Sequence, residues 1–186
     1  MMPLTTLDPN TALILIDLQK GIVARDTKPY PPADVVAKAA RLARAFRAHK
    51  LPVVLVHVTG GAPGRNEQPK PPSPAPDWAD LVPELDRQPD DHIVEKKSWG
   101  AFTHTGLEEH LRAQGVTQVV VAGIATAIGV ESTARQAYEA GFNVTLPIDA
   151  MTDLKAETHD NSVTHIFPRL GETGTTDEVI GLLDLR

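Results

Sequence analysis

The 186-residue chain contains no cysteine. That single absence excludes disulfides, thiolate metal sites and any cysteine nucleophile. No apolar run is long enough to cross a bilayer, so no membrane partner is expected. The opening MMPLTTLDPN lacks the basic and apolar regions of a signal peptide, which makes the cytoplasm the expected compartment. Positive charge is also in short supply: 18 Lys and Arg stand against 24 Asp and Glu, a net charge of -6. This balance disfavours non-specific attraction to nucleic acid. The seven histidines show neither HExxH nor any other metal-ligand spacing, and His159 and His165 lie too far round a helix to share one ion. Most of them read as surface residues. No GxGxxG or P-loop pattern occurs, so no metal and no cofactor is expected.

What is present reads as one domain, residues 1–186. Hydrophobic content of 41% and charged content of 23% are enough to build a sizeable core. Thr11 to Asp17 (TALILID), Pro52 to Val58 (PVVLVHV), His92 to Glu95, Val119 to Ala122 and Asn143 to Asp149 (NVTLPID) read as strands. Helical spacing of Val35, Ala39, Leu42 and Phe46 predicts a helix from about Ala33. A capping box of Thr105 and Glu108 opens a second helix that Gly115 closes, and another box, Thr175 and Glu178, opens the last. A further helix is expected from Leu154 to Phe167. Strands alternating with helices imply an α/β fold: a mostly parallel sheet in three layers with helices on both faces. The proline-rich segment from Thr59 to about Asp91, with Pro63, Pro69, Pro71, Pro72, Pro74 and Pro76, reads as a lid, an interface arm or a mobile loop.

The organising stretch is VVVAGIATAIGVESTARQAYEAG, Val119 to Gly141. A buried strand passes through the small residues Gly123, Ala125 and Gly129 into a helix whose Val130, Ala134, Ala137 and Tyr138 share a face. It is either an ordinary crossover or an amide-lined site for an anion or oxyanion. Asp17 ends the first strand after five apolar or small residues. It either caps a loop or faces that turn, where partial desolvation would raise its pKa. Lys96 and Lys97, taken alone, read as solvated surface. Ser132 and Thr133 read as helix-packing or back-bonding residues and not as nucleophiles.

LILIDLQ around Asp17, KKSWGAF from Lys96 and GIATAIGVESTARQAYEAGFNV from Gly123 resemble the three signature regions of the isochorismatase-like (cysteine hydrolase) family. The resemblance covers essentially the whole chain and includes the strand end near Asp149. It implies the same layered α/β fold, an Asp–Lys–Cys trio, and a homo-oligomer (dimer or tetramer) with the proline-rich loop or central helix, Trp78 and Trp99 near the interface. By position the trio maps onto Asp17, Lys96 and Gly129. A non-proline cis peptide is implied between Ile124 and Ala125, with the Ala125 and Gly129 amides as an oxyanion hole. Gln19, Trp99, Phe102 and Ile124 complete the implied substrate-binding set. Without a thiol the family's amidase mechanism is closed. Isochorismatases in the same family also carry Gly there and hydrolyse a vinyl ether, which needs an acid more than a nucleophile. Their Gln after the second strand is replaced here by Val58, with His57 expected on the strand's other side. The expectation is therefore a cysteine-independent hydrolase of a small-molecule substrate. The alternatives are a binding protein that kept the pocket, or a nucleotide-binding α/β domain.

Overall fold

In the computed structural model, residues 4–67 and 73–186 are described. Pro69, Pro71 and Pro72 of the proline-rich loop, and the start of the chain through Pro3, lie outside the described residues. Seven strands form one sheet: β1 (Thr11–Ile16), β2 (Val53–Val58), β3 (His92–Lys96), β4 (Gln118–Ile124), β5 (Asn143–Pro147), β6 (Met151–Thr152) and β7 (Glu172–Gly174). The order is β3-β2-β1-β4-β5-β7, with β6 beside the end of β4, and every pairing is parallel.

Alternation along each strand assigns two cores. Leu13, Leu15, Val53 and Leu55 face α2 (Pro32–Ala48) and α6 (Thr176–Asp184). Ile14, Ile16, Val54 and Val56 face α3 (Leu107–Ala113) and α4 (Glu131–Glu139). Burial on both faces is why these strands read as unbroken apolar runs. In α2 the 3.6-residue spacing puts Val35, Ala39, Leu42 and Phe46 on the buried side, and Pro32 sits in the first turn, where a missing N–H is harmless. The Thr175–Glu178 capping box of α6 is complete.

Other expectations are corrected. Thr105 and Glu108 make no capping box: the Thr105 hydroxyl turns back to the Ala101 carbonyl at 2.6 Å, and α3 starts from Gly106 in the left-handed region. The expected helix from Leu154 to Phe167 is in pieces. A short α1 (Lys20–Val23) precedes α2, whereas α5 (Ala156–Asn161) is followed by a wide turn at Ser162–Ile166 and a tight one at Phe167–Arg169, where Pro168 ends regular helical bonding. The strand expected to reach Asp149 stops at Pro147. Tyr138, expected to share a face with Val130, Ala134 and Ala137, is exposed, while those three are buried. Trp78 is half-buried against α1, where its ring occupies the space a Gly21 side chain would need.

Candidate active site

β1 has β2 on one side and β4 on the other, so the chain order reverses at the gap between β1 and β4. In open parallel sheets ligands bind beyond the strand ends at such a point. Asp17 stands there, one residue past β1, with φ 53°, a left-handed conformation that Asp tolerates better than most residues. Its N–H donates to Val56 O at 2.9 Å, fixing the side chain at the crevice floor. β4 approaches at the same level. Gly123, at φ 127°, has no room for a side chain because a Cβ would strike the Ile16 carbonyl oxygen.

Lys96 reaches Asp17 from the end of β3. It lies on the same face as Val94 and Val56, so its stem runs along apolar surface toward β1, and the residue is only 2% exposed. Its ammonium donates to Asp17 Oδ2 at 2.8 Å and to Ser98 O at 3.0 Å. Neighbouring Lys97 is exposed. Asp17 Oδ1 is buried and has no hydrogen-bond partner among the described residues. Burial raises the Asp17 pKa to about 6, against the opposing pull of the Lys96 charge, the Lys96 hydrogen bond and His57. The carboxyl is thus half-satisfied: one oxygen holds a cation and the other waits.

The third wall is the wide turn Thr126–Val130 between β4 and α4. The Ile124–Ala125 peptide before it is cis, as the resemblance implied. The Val130 N–H reaches back five residues to Ala125 O at 3.2 Å. Gly129 faces the carboxyl with no side chain between them. A Cβ placed there would lie 3.2 Å from Asp17 Oδ2, 2.8 Å from Ile16 Cγ2 and 3.6 Å from Trp99 O. The wall is therefore packed around a glycine. Thr133 does back-bond, as expected: its hydroxyl donates to Gly129 O at 2.7 Å and accepts from the Ala101 N–H at 3.1 Å. That contact ties the turn to the loop after Lys96.

Of the expected site residues, the structure brings together Asp17, Lys96, Gly129 and the Trp99 backbone, with Ile124 and Ala125 at the root of the turn. The Trp99 side chain is 66% exposed at the margin. Gln19 is elsewhere. Fully buried, its amide accepts from Val58 N–H at 2.8 Å and donates to Val58 O and Trp78 O, stapling β2 to the proline-rich loop. Phe102 packs on Phe142 with ring centroids 6.0 Å apart, in the second core. Neither of the two faces the Asp17 carboxyl. A separate cleft of about 460 Å³ lies at the opposite, amino-terminal end of the strands. Its acids are already engaged, Glu172 by Thr5 and Asp8 by Thr117 and Asn143.

Two residues escaped the sequence reading. His159 is buried, unlike the surface position expected of most histidines, and its Nδ1 lies 2.8 Å from the Thr126 hydroxyl. Asp153 accepts from the Ala127 N–H at 2.6 Å. No motif announces either contact; only the fold brings α5 and the end of β6 beneath the turn. Among the described residues, no group of three or more His, Asp or Glu is placed to hold a metal ion, and no helix is long and apolar enough to cross a membrane.

Comparison with known proteins agrees with this architecture. Residues 11–178 match the Isochorismatase domain family. The isochorismatase family protein YecD of Escherichia coli O157:H7 is 41% identical over 181 residues, spanning 93% of this chain and 96% of that protein. YwoC of Bacillus subtilis is 41% identical over 179 residues, spanning 91% and 92%. An isochorismatase family protein from Burkholderia thailandensis superimposes with a TM-score of 0.92 at 44% identity, covering 99% of this chain and 100% of that one.

Proposed function

Because this chain belongs to the isochorismatase family, we propose that it is a cysteine-independent hydrolase in which Asp17 is the general acid for a vinyl ether or similarly acid-labile bond. Family members are hydrolases, and Gly129 stands where the family's amidases carry cysteine, which groups the chain in a YecD-like subgroup. The observation that carries the reading is the half-satisfied Asp17. With a pKa of about 6, about a tenth of the carboxyl is protonated at pH 7, a workable compromise for a general acid. Oδ2 stays with Lys96, which leaves Oδ1 to hold and deliver the proton.

The chemistry balances without a covalent enzyme intermediate. Asp17 protonates the terminal vinyl carbon, the C=C electrons form the new C–H bond, and the ether oxygen shares the resulting positive charge. Water adds to the oxocarbenium carbon and returns a proton to Asp17. The hemiketal then collapses to an alcohol and a ketone. Lys96 has three N–H donors and uses two within the protein. The third suits an anionic group of the substrate, as does the Ala125 N–H beside the Gly129 amide. The Trp99 indole offers a face at the margin. With the resemblance, its exposure also supports a homo-oligomer, which a monomer-only sedimentation profile at micromolar concentration would remove.

The test is turnover of a panel of enol ethers in deuterium oxide. One solvent deuterium should enter the methyl group of each ketone product. Thermal stabilisation by the same compounds without any product would favour the non-catalytic binding protein, and burst-phase amide hydrolysis would reject the acid mechanism.

A further inference from the structure

We infer that Thr126 and His159 are positioning residues: their hydrogen bond holds the wide turn down on Asp17 and keeps water from the carboxyl. The inference rests on the reading of Asp17 as the working acid, but its test does not require turnover. The turn faces Asp17 at Gly129, close enough that a Cβ built there would lie 3.2 Å from Oδ2, and Asp17 is only 6% exposed. That shielding survives only while the turn stays seated. Thr126 is the first residue of the turn and is fully buried. Its hydroxyl meets His159 Nδ1 from α5 at 2.8 Å, which makes this the side-chain anchor at the turn's entry. Asp153 holds the next residue through the Ala127 N–H, and Thr133 holds the exit through Gly129 O.

The histidine suits this task when neutral. A neutral ring can accept the Thr126 proton at Nδ1; a protonated ring has only donors and would force the bond to reverse. Burial lowers the His159 pKa, with the Asp160 and Asp153 charges pulling the other way. The Tyr30 ring packs edge-on against His159 at 5.9 Å. Asp17 is faced in turn by Lys96 and His57. His159 has no other side-chain hydrogen bond among the described residues, so its one polar contact is the one to the turn.

The experiment follows the Asp17 carboxyl by carbon NMR across pH 3–9 in the wild type, Thr126→Val, Thr126→Ser and His159→Leu. Exchange of the Ile128 and Val130 amides, both bonded to Ala125 O, is measured alongside. Thr126→Val keeps the shape and removes the hydroxyl. It should lower the Asp17 midpoint by half a pH unit or more and speed exchange of the two amides at least tenfold, because water gains access. Thr126→Ser should restore both readouts. His159→Leu, if it folds, should match Thr126→Val. An unmoved midpoint and unchanged exchange in folded Thr126→Val would overturn the inference. A wild-type midpoint at the ordinary carboxylate value would instead strike the reading of Asp17, so the two failures are distinguishable.

Discussion

Asp17 and Asp91 are both buried carboxylates beside a cation, at opposite ends of the sheet, yet they are built for different ends. Asp91, just before β3, is gripped by Arg47 through two parallel bonds, Nε to Oδ1 at 3.0 Å and Nη2 to Oδ2 at 2.6 Å. The Gln88 N–H adds a third at 2.8 Å. Both its oxygens are occupied. Asp17 has a single Lys96 contact on Oδ2 and, among the described residues, nothing on Oδ1. A forked guanidinium matches a carboxylate oxygen for oxygen, whereas an ammonium is a point charge that neutralises without saturating. Saturation makes a brace, and incompleteness in a dry crevice is what the proposed acid role of Asp17 draws on.

The sharpest way to break this contrast is to neutralise each acid. Asp17→Asn should lose about 10²–10⁴-fold in enol ether turnover while ligand-induced thermal stabilisation persists, since a positioned general acid is worth that much. A two- or three-fold loss would reject the role. Asp91→Asn should do the reverse: kcat per folded molecule holds, but urea unfolding should show a loss of about 3 kcal/mol, the cost of a buried pair with one partner removed.

The pH dependence of stability should separate the two next. The folded-state pKa of Asp17 lies above its unfolded value of 3.8, so between about pH 4 and 6 the native protein binds more protons than the unfolded chain. Stability from this group therefore falls as pH rises through that window, on the order of 3 kcal/mol in all. Comparing urea midpoints of wild type and Asp17→Asn isolates the slope. Equal slopes would mean that Asp17 is not a strained acid.

Smaller effects sharpen the account. Gly129→Ala puts a methyl 2.8 Å from Ile16 Cγ2 and should cost about 1–3 kcal/mol by overpacking, read from the thermal midpoint. Ala at this position with unaltered stability would mean that the wall yields freely. Lys96→Met should raise the Asp17 midpoint by about one unit or more, because the charge that opposes desolvation is gone. The variant should also bind anionic ligands more weakly, and a midpoint below 6 would contradict the pairing.

The fold was legible because both sheet faces are covered. ALILI, VVLV and VVVAGI carry no polar interruption, and Pro32 and the Thr175–Glu178 box mark helix starts directly. Asp17 was legible as a strand-end carboxylate, but its partner was not. Lys96 looks like surface in KKSW; only the register that pairs Val58 with Lys96 and Val56 with Ile16 carries its stem over β2 to β1. The family resemblance supplied that residue where composition would have passed it over. Gln19 misled for the opposite reason. It sits two residues from Asp17 in sequence, yet after the left-handed step at Asp17 its amide turns to Val58 and the proline-rich loop. Thr126 with His159 and Asp153 with Ala127 join residues 33 and 26 positions apart, and such contacts leave no local periodicity to read.

The most direct measurement is the Asp17 titration itself, followed by carbon NMR of the labelled carboxyl with Asp17→Asn to assign the signal. The midpoint is expected near 6, and above it in Lys96→Met. A midpoint at or below 4 would make Asp17 an ordinary paired carboxylate, and the acid role would fall with it.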